Sequence, residues 1–291
     1  MKHLLAFVII ILLFNSSMFS QNFEEYAGAI KLSDTAIITY KVFFKIDKSK
    51  VTGYSLTDLG GEHETKSNLV GFYDANKNKL SFKEVGIVYT KSIITQNDFC
   101  HIHFDPVNYK AGKTSYFKGT FKGRYNDGQE CIDGEIFLNS VEKINSRMEK
   151  VTKKVNRSNR INDSIKDKFN NLKIMESLSL NMLKADRVLS VFSESNSINL
   201  EIFDGGQEDG DVISVKINGH TVLEHFTISS KRKIIPIKLL HNKTSIELIA
   251  QTVGTISTNT AVIEINDGKN NIRALTNLKV GESTKIDVLK L

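Results

Sequence analysis

From Ile38 the side chains alternate. Ile38, Tyr40, Val42, Phe44 and Ile46 fall on one face of an extended segment, and Thr39, Lys41, Lys45 and Asp47 on the other. A period of two, with aromatic and β-branched residues on the apolar side, specifies a half-buried strand and excludes a helix. The same pattern returns in short pieces at 51–58, 67–73, 79–82, 86–94, 98–104, 114–125 and 130–138. Turn signals stand between them: Gly60-Gly61, Asp74-Ala75-Asn76 and Asn126-Asp127-Gly128. Short strands joined by hairpins predict an antiparallel meander over 21–140 that curls into a barrel or sandwich. Its aromatic side chains, among them Tyr40, Phe44, Phe82, Phe104, Phe117 and Phe121, either fill the interior or line a small-ligand cavity.

A second series of strand patterns runs from 188 to 288, punctuated by Asn218-Gly219, Asp267-Gly268 and Gly281. The count and spacing fit a β-sandwich of immunoglobulin-like size over 186–291. Between the two series the period changes. Val141, Ile144, Met148, Val151 and Val155 recur every three to four residues, and Ile161, Ile165, Phe169 and Leu172 resume the stripe. A basic, amphipathic helical connector over 141–185 is expected, bent near 156–160. The fold class is therefore mainly β.

The chain has 291 residues and a net charge of +6. Residues 141–173 hold ten basic and four acidic side chains, so the whole excess sits in the connector. A basic helix suits anionic surfaces, but this one lacks the interleaved aromatics of a nucleic-acid-binding face. No nucleic-acid partner is expected; a solvated spacer, or a coiled coil with a second copy that would make a homodimer, fits better. Met1-Lys2-His3, the apolar run 4–14 and the polar residues up to Ser20-Gln21 have the order of a secretory signal peptide over 1–20. An exported protein is expected, periplasmic, cell-surface or secreted, with no transmembrane span. In that compartment two cysteines, Cys100 and Cys131, read as one disulfide.

One loop stands out. Asn199 to Gly219 runs as a strand into Gly205-Gly206, gathers Asp204, Glu208, Asp209 and Asp211 around Gly210, and leaves as a second strand. Four carboxylates within eight residues, on a backbone that glycine lets wrap, form a candidate calcium site, since calcium takes six to eight oxygens including carbonyls. The spacing is not that of an EF-hand, and the same residues also read as a tight turn in which aspartates cap backbone amides. The run from Asp204 to Val215, with Asn218-Gly219 after it, is similar to the D-x-G-x-x-D-G-D-x-[IV]-S-[IV] signature of small β-sandwich modules in exported proteins of Bacteroidetes-type bacteria. Gly254 to Ala261, followed by Asp267-Gly268, resembles the second signature of that module. Gly53-Tyr54-Ser55 and Asp98-Phe99-Cys100 resemble uncharacterised exported β-domains of the same bacteria. The resemblance implies a fold and a compartment but no established activity, because such modules are mostly accessory.

Other chemistry is thin. His101-x-His103 places two imidazoles about 7 Å apart on one strand face, a spacing that suits a metal ion. Cys100, Ile102 and Phe104 take the opposite, core-like face, so the histidines are expected in solvent. Glu62, Glu64, Glu84 and Glu130 are scattered among lysines, and no nucleophile elbow, zinc-protease helix or phosphate loop occurs. The reading is an exported, non-catalytic binding or scaffolding protein whose partner is an envelope or extracellular protein or glycan. Two alternatives stand beside it: a lipocalin-like carrier using the first barrel, and a hydrolase in which folding brings Glu84 and Glu130 together.

Overall fold

The computed structural model describes residues 23–32, 36–93, 98–170, 181–206, 208–254 and 258–291. The expected signal peptide, residues 171–180 of the connector, Gln207 and residues 255–257 of the second signature lie outside them. The described residues form eighteen strands and two helices.

The first eight strands are β1 (Phe23–Lys31), β2 (Ile37–Asp47), β3 (Lys50–Thr57), β4 (Thr65–Asp74), β5 (Lys79–Thr90), β6 (His101–Asn108), β7 (Tyr116–Arg124) and β8 (Glu130–Ser140). They pair antiparallel in the order β5-β4-β3-β2-β1-β8-β7-β6, and β5 with β6 closes the barrel. Closure removes the free edges that would otherwise invite pairing between chains. Glycines let the strands bend enough to close. A Cβ on Gly28 or Gly53 would strike the backbone carbonyl of Phe137 or Phe43 on the neighbouring strand. The expected alternation holds: Tyr40, Val42 and Phe44 are buried on the inner face of β2.

The lumen is filled with rings. Tyr26 lies 4.9 Å from Phe117 and 5.9 Å from Phe44, centroid to centroid, and Phe82 lies 4.7 Å from Phe104. Tyr109 packs against Tyr26, Phe44, Tyr73 and Phe117. The Tyr26 hydroxyl donates to the Thr114 carbonyl at 2.6 Å, which fixes the 109–114 turn under this end of the barrel. Offset and edge-on ring pairs of this kind add to burial rather than leave a void. On the barrel wall the disulfide Cys100–Cys131 passes over Gly123, with a Cα–Cα distance of 6.0 Å.

Two helices follow, α1 (Val141–Arg157) and α2 (Asp163–Asn170). Ser140 caps α1 by accepting from the Lys143 amide, and Lys154 and Arg157 lie in its last turn, where the helix dipole favours cations. The bend falls at 158–162. The helices fold back on each other as a hairpin, tied by Asn156 to Asn170 at 2.7 Å. Beyond Val141 the apolar stripe is only half covered, and Val151 and Ile165 are exposed.

The second half is a two-sheet sandwich. One sheet has the order β13 (His220–Thr227), β12 (Val212–Ile217), β15 (Lys243–Thr252), β18 (Ser283–Lys290) and β10 (Val188–Ser193). The other has β14 (Lys233–Lys238), β11 (Ser197–Phe203), β16 (Val262–Asn266), β17 (Asn271–Asn277) and β9 (Met182–Lys184). Asn218 and Gly219 both take positive φ, 50° and 82°, in the two-residue turn between β12 and β13, as that dipeptide predicts.

The halves are joined through β5 as well as through the helices. Beyond a bulge at Val85-Gly86, with Gly86 at φ 80°, β5 parts from β6 while it stays paired with β4. Its last residues then pair with β10, Tyr89 opposite Val191 and Thr90 opposite Ser190. The barrel sheet and one sandwich sheet are thereby continuous. Leu56, Leu59, Val88 and Tyr89 of the barrel half belong to the sandwich core, beside Leu189, Val191, Ile246 and Val288.

Candidate functional site

Buried carboxylates are the first place to look for chemistry, because burial without partners is costly. Glu84 continues the inward alternation of Leu80 and Phe82 and is buried inside the barrel, toward the sandwich end. Its Oε1 accepts from Ser55 Oγ at 2.6 Å and Tyr40 Oη at 3.1 Å, and its Oε2 accepts from the Ile102 amide at 2.9 Å. Burial pushes its pKa up, opposed by these three hydrogen bonds and by the field of His101. Burial and the adjacent carboxylate hold the Tyr40 hydroxyl well above its ordinary pKa. Glu64 is buried at the junction of the halves. It accepts from Tyr89 Oη at 2.9 Å and the Gly60 amide at 2.6 Å, with Lys91 3.5 Å away.

Neither glutamate shares a cleft with another acid. Glu130 is exposed on the outer wall, paired with Arg124 at 2.9 Å, and Glu62 pairs with Arg187 across the junction. The convergence of Glu84 and Glu130 that a hydrolase would need is not formed. The histidine pair also differs from expectation. His101 is buried, with Nε2 lacking a partner, and only His103 is partly exposed. Burial, with Lys83, Arg124 and His101 nearby, lowers the pKa of His103. Among the described residues no three His, Cys, Asp or Glu side chains gather as a ready-made metal set.

The acidic loop is split in its roles. Asp204 Oδ1 accepts from the Gly206 amide at 2.7 Å, and Glu208 Oε1 accepts from the Ser230 amide at 2.6 Å. The bond from Ser230 lowers the pKa of Glu208. Asp209 Oδ1 takes the Asp211 amide at 3.3 Å, and Asp211 Oδ2 takes the Thr260 amide at 2.7 Å. The turn reading thus accounts for one oxygen of each carboxylate. The Thr260 bond also brings the two signature segments together, which sequence spacing could not show.

A cleft of about 550 Å³ opens where β5 meets the sandwich. Val188, Phe192, Leu289 and Leu291 give it an apolar floor. Lys91, Arg187, Lys243 and Lys290 stand on its rim with Asp186 and Asp287. Lys243 is held at 2.5 Å from Asp287 Oδ2, and Lys290 Nζ bonds Asn196 Oδ1 at 2.7 Å. Sequence reading missed this site because its residues come from four separate segments.

No family model matches the chain, and neither a curated protein nor a solved structure matches it at a significant level. Among the described residues no helix is long and apolar enough to cross a membrane.

Proposed function

We propose that this chain is an exported, non-catalytic binding protein that holds a short peptide segment of an envelope or extracellular partner in the cleft between barrel and sandwich. The cleft carries the reading. Its size, apolar floor and fixed charges of both signs suit a peptide backbone with an apolar side chain. Rim charges already tethered to Asn196, Glu62 and Asp287 need little further ordering to engage a ligand. The ring-filled lumen weighs against a lipocalin-like carrier. Glu84 and Glu64, saturated by hydroxyl and amide donors, weigh against a hydrolase.

The test is amide chemical-shift mapping of the purified protein against a pool of short apolar and charged peptides, with a pool of oligosaccharides alongside. Shifts at 91–93, 188–192 and 287–291 that vanish in Leu291→Glu are expected with the peptides. Response to oligosaccharides alone would replace the partner class. Shifts confined to the lumen, or none at the cleft, would overturn the proposal.

A further inference from the structure

We propose that the loop pair at the other end of β15 from the cleft is a calcium site, formed by Asp209 and Asp211 of one loop and Asn259 of the other. The site is not the four-carboxylate set that spacing suggests. Asp204 is half-buried and Glu208 exposed, each with one oxygen on an amide, of Gly206 and Ser230, and neither has a buried oxygen without a partner. What remains is three oxygens: Asp209 Oδ2, Asp211 Oδ1 and Asn259 Oδ1 are buried and have no hydrogen-bond partner. Asp211 is 2% exposed and Asn259 0%. Asn259 is held by its amide nitrogen, which donates to Thr252 O at 2.9 Å and Val212 O at 3.2 Å, so its oxygen is left over.

The loops are tied together besides. Thr260 bonds Asp211, Thr252 Oγ1 donates to Gly210 O at 3.3 Å, and Gly254 lies so close to Asp209 that a Cβ there would overlap its carbonyl and carboxylate. An unpartnered carboxylate oxygen in a dry site is expensive. Burial raises the pKa of Asp211, the Thr260 amide opposes this, and the charges of Asp209 and Asp204 add to it. Among the described residues no Lys, Arg or His forms an ion pair with Asp204, Asp209 or Asp211. The cluster lacks a positive charge and offers acceptors only.

A hard cation meets both needs. Calcium accepts carboxylate, side-chain amide and backbone carbonyl oxygens in irregular geometry, whereas magnesium demands a near-ideal octahedron. Two carboxylates and one amide oxygen, each with an atom that is buried and unpartnered, would be calcium's protein ligands, with water completing the shell. Bound there, the ion would clamp the β11–β12 loop to the segment entering β16. β15 spans ten residues, about 33 Å, so the clamp and the cleft are separate sites.

Chelator-treated protein titrated with calcium chloride in a calorimeter at neutral pH is expected to bind one equivalent, with a dissociation constant of about 10⁻⁴ to 10⁻³ M, as in extracellular modules. The thermal midpoint should rise with calcium and much less with magnesium. Asp211→Ala removes the Thr260 bond and so can fail by misfolding. Asp209→Asn keeps the oxygen that caps the Asp211 amide. It should weaken calcium about tenfold or more, because carboxylate count sets affinity, without lowering the calcium-free midpoint. No heat and no midpoint change at about 10 mM calcium, well above that range, would overturn the site. So would a calcium-insensitive protein whose stability rises on acidification in a way that Asp209→Asn abolishes, since a shared proton would then complete the cluster.

Discussion

Tyr40→Phe in the barrel isolates one hydrogen bond to a buried acid. The ring stays and only the hydroxyl 3.1 Å from Glu84 Oε1 is lost, while Ser55 and the Ile102 amide keep their bonds. A hydrogen bond to a charged group contributes about 1.5–3 kcal/mol and one between neutral groups about 0.5–1.5 kcal/mol. With Glu84 ionised the variant should therefore lose about 2 kcal/mol, or about 3–4 °C for a protein of this size. The pH dependence fixes the sign. Burial raises the pKa of Glu84 in the folded state, so its stabilising contribution is fully present below the ordinary carboxylate range and is lost as pH rises through the folded value. Tyr40 opposes that rise, and its removal lifts the folded pKa further. The gap between wild type and variant should widen from about 1 kcal/mol at acid pH, with Glu84 protonated, toward about 2 kcal/mol at alkaline pH, with it ionised. Urea unfolding of both proteins at the two pH values reads it directly. Other carboxylates cancel in the difference. A gap that is flat or that widens toward acid would refute the account of Glu84.

Two further perturbations probe the frame. Cys100 and Cys131 are 31 residues apart, and replacing both by Ser should cost about 3–4 kcal/mol on the chain-entropy account, seen as a lower urea midpoint. Leu56→Ala empties a site on a barrel strand that belongs to the sandwich core and should cost about 2–5 kcal/mol. Hydrogen exchange should then show β3, β10 and β18 losing protection together. Loosening of the barrel alone would contradict the shared core.

Much of this was legible in the chain. Period-two alternation placed the strands, the Asn218-Gly219 turn formed as its dipeptide predicts, and the two cysteines are bridged. The alternation Leu80, Phe82, Glu84 also contained the inward glutamate. A carboxylate in that register breaks the polarity rule, and only the positions of Tyr40 and Ser55 on other strands explain it. His101 was expected in solvent, since local spacing cannot show what covers the outer face of a strand. The junction was hidden for a similar reason. Ile87, Val88, Tyr89 and Thr90 are all buried, a run that does not alternate because β5 there serves the sandwich sheet. The acidic loop announced its carboxylates but not their allegiances, which depend on Ser230 and Thr260, far away in sequence.

The strand shared by the two halves changes what counts as a linker. The helical hairpin carries the chain from one half to the other, yet it contributes little of the core that unites them. A protease nick within 158–162 should leave the two fragments associated, held by β5 against β10 and by Leu56, Leu59, Val88 and Tyr89 in the common core. The protein is thus joined through its sheet and its shared core rather than through its helical connector. Its natural seam runs across the middle of a strand.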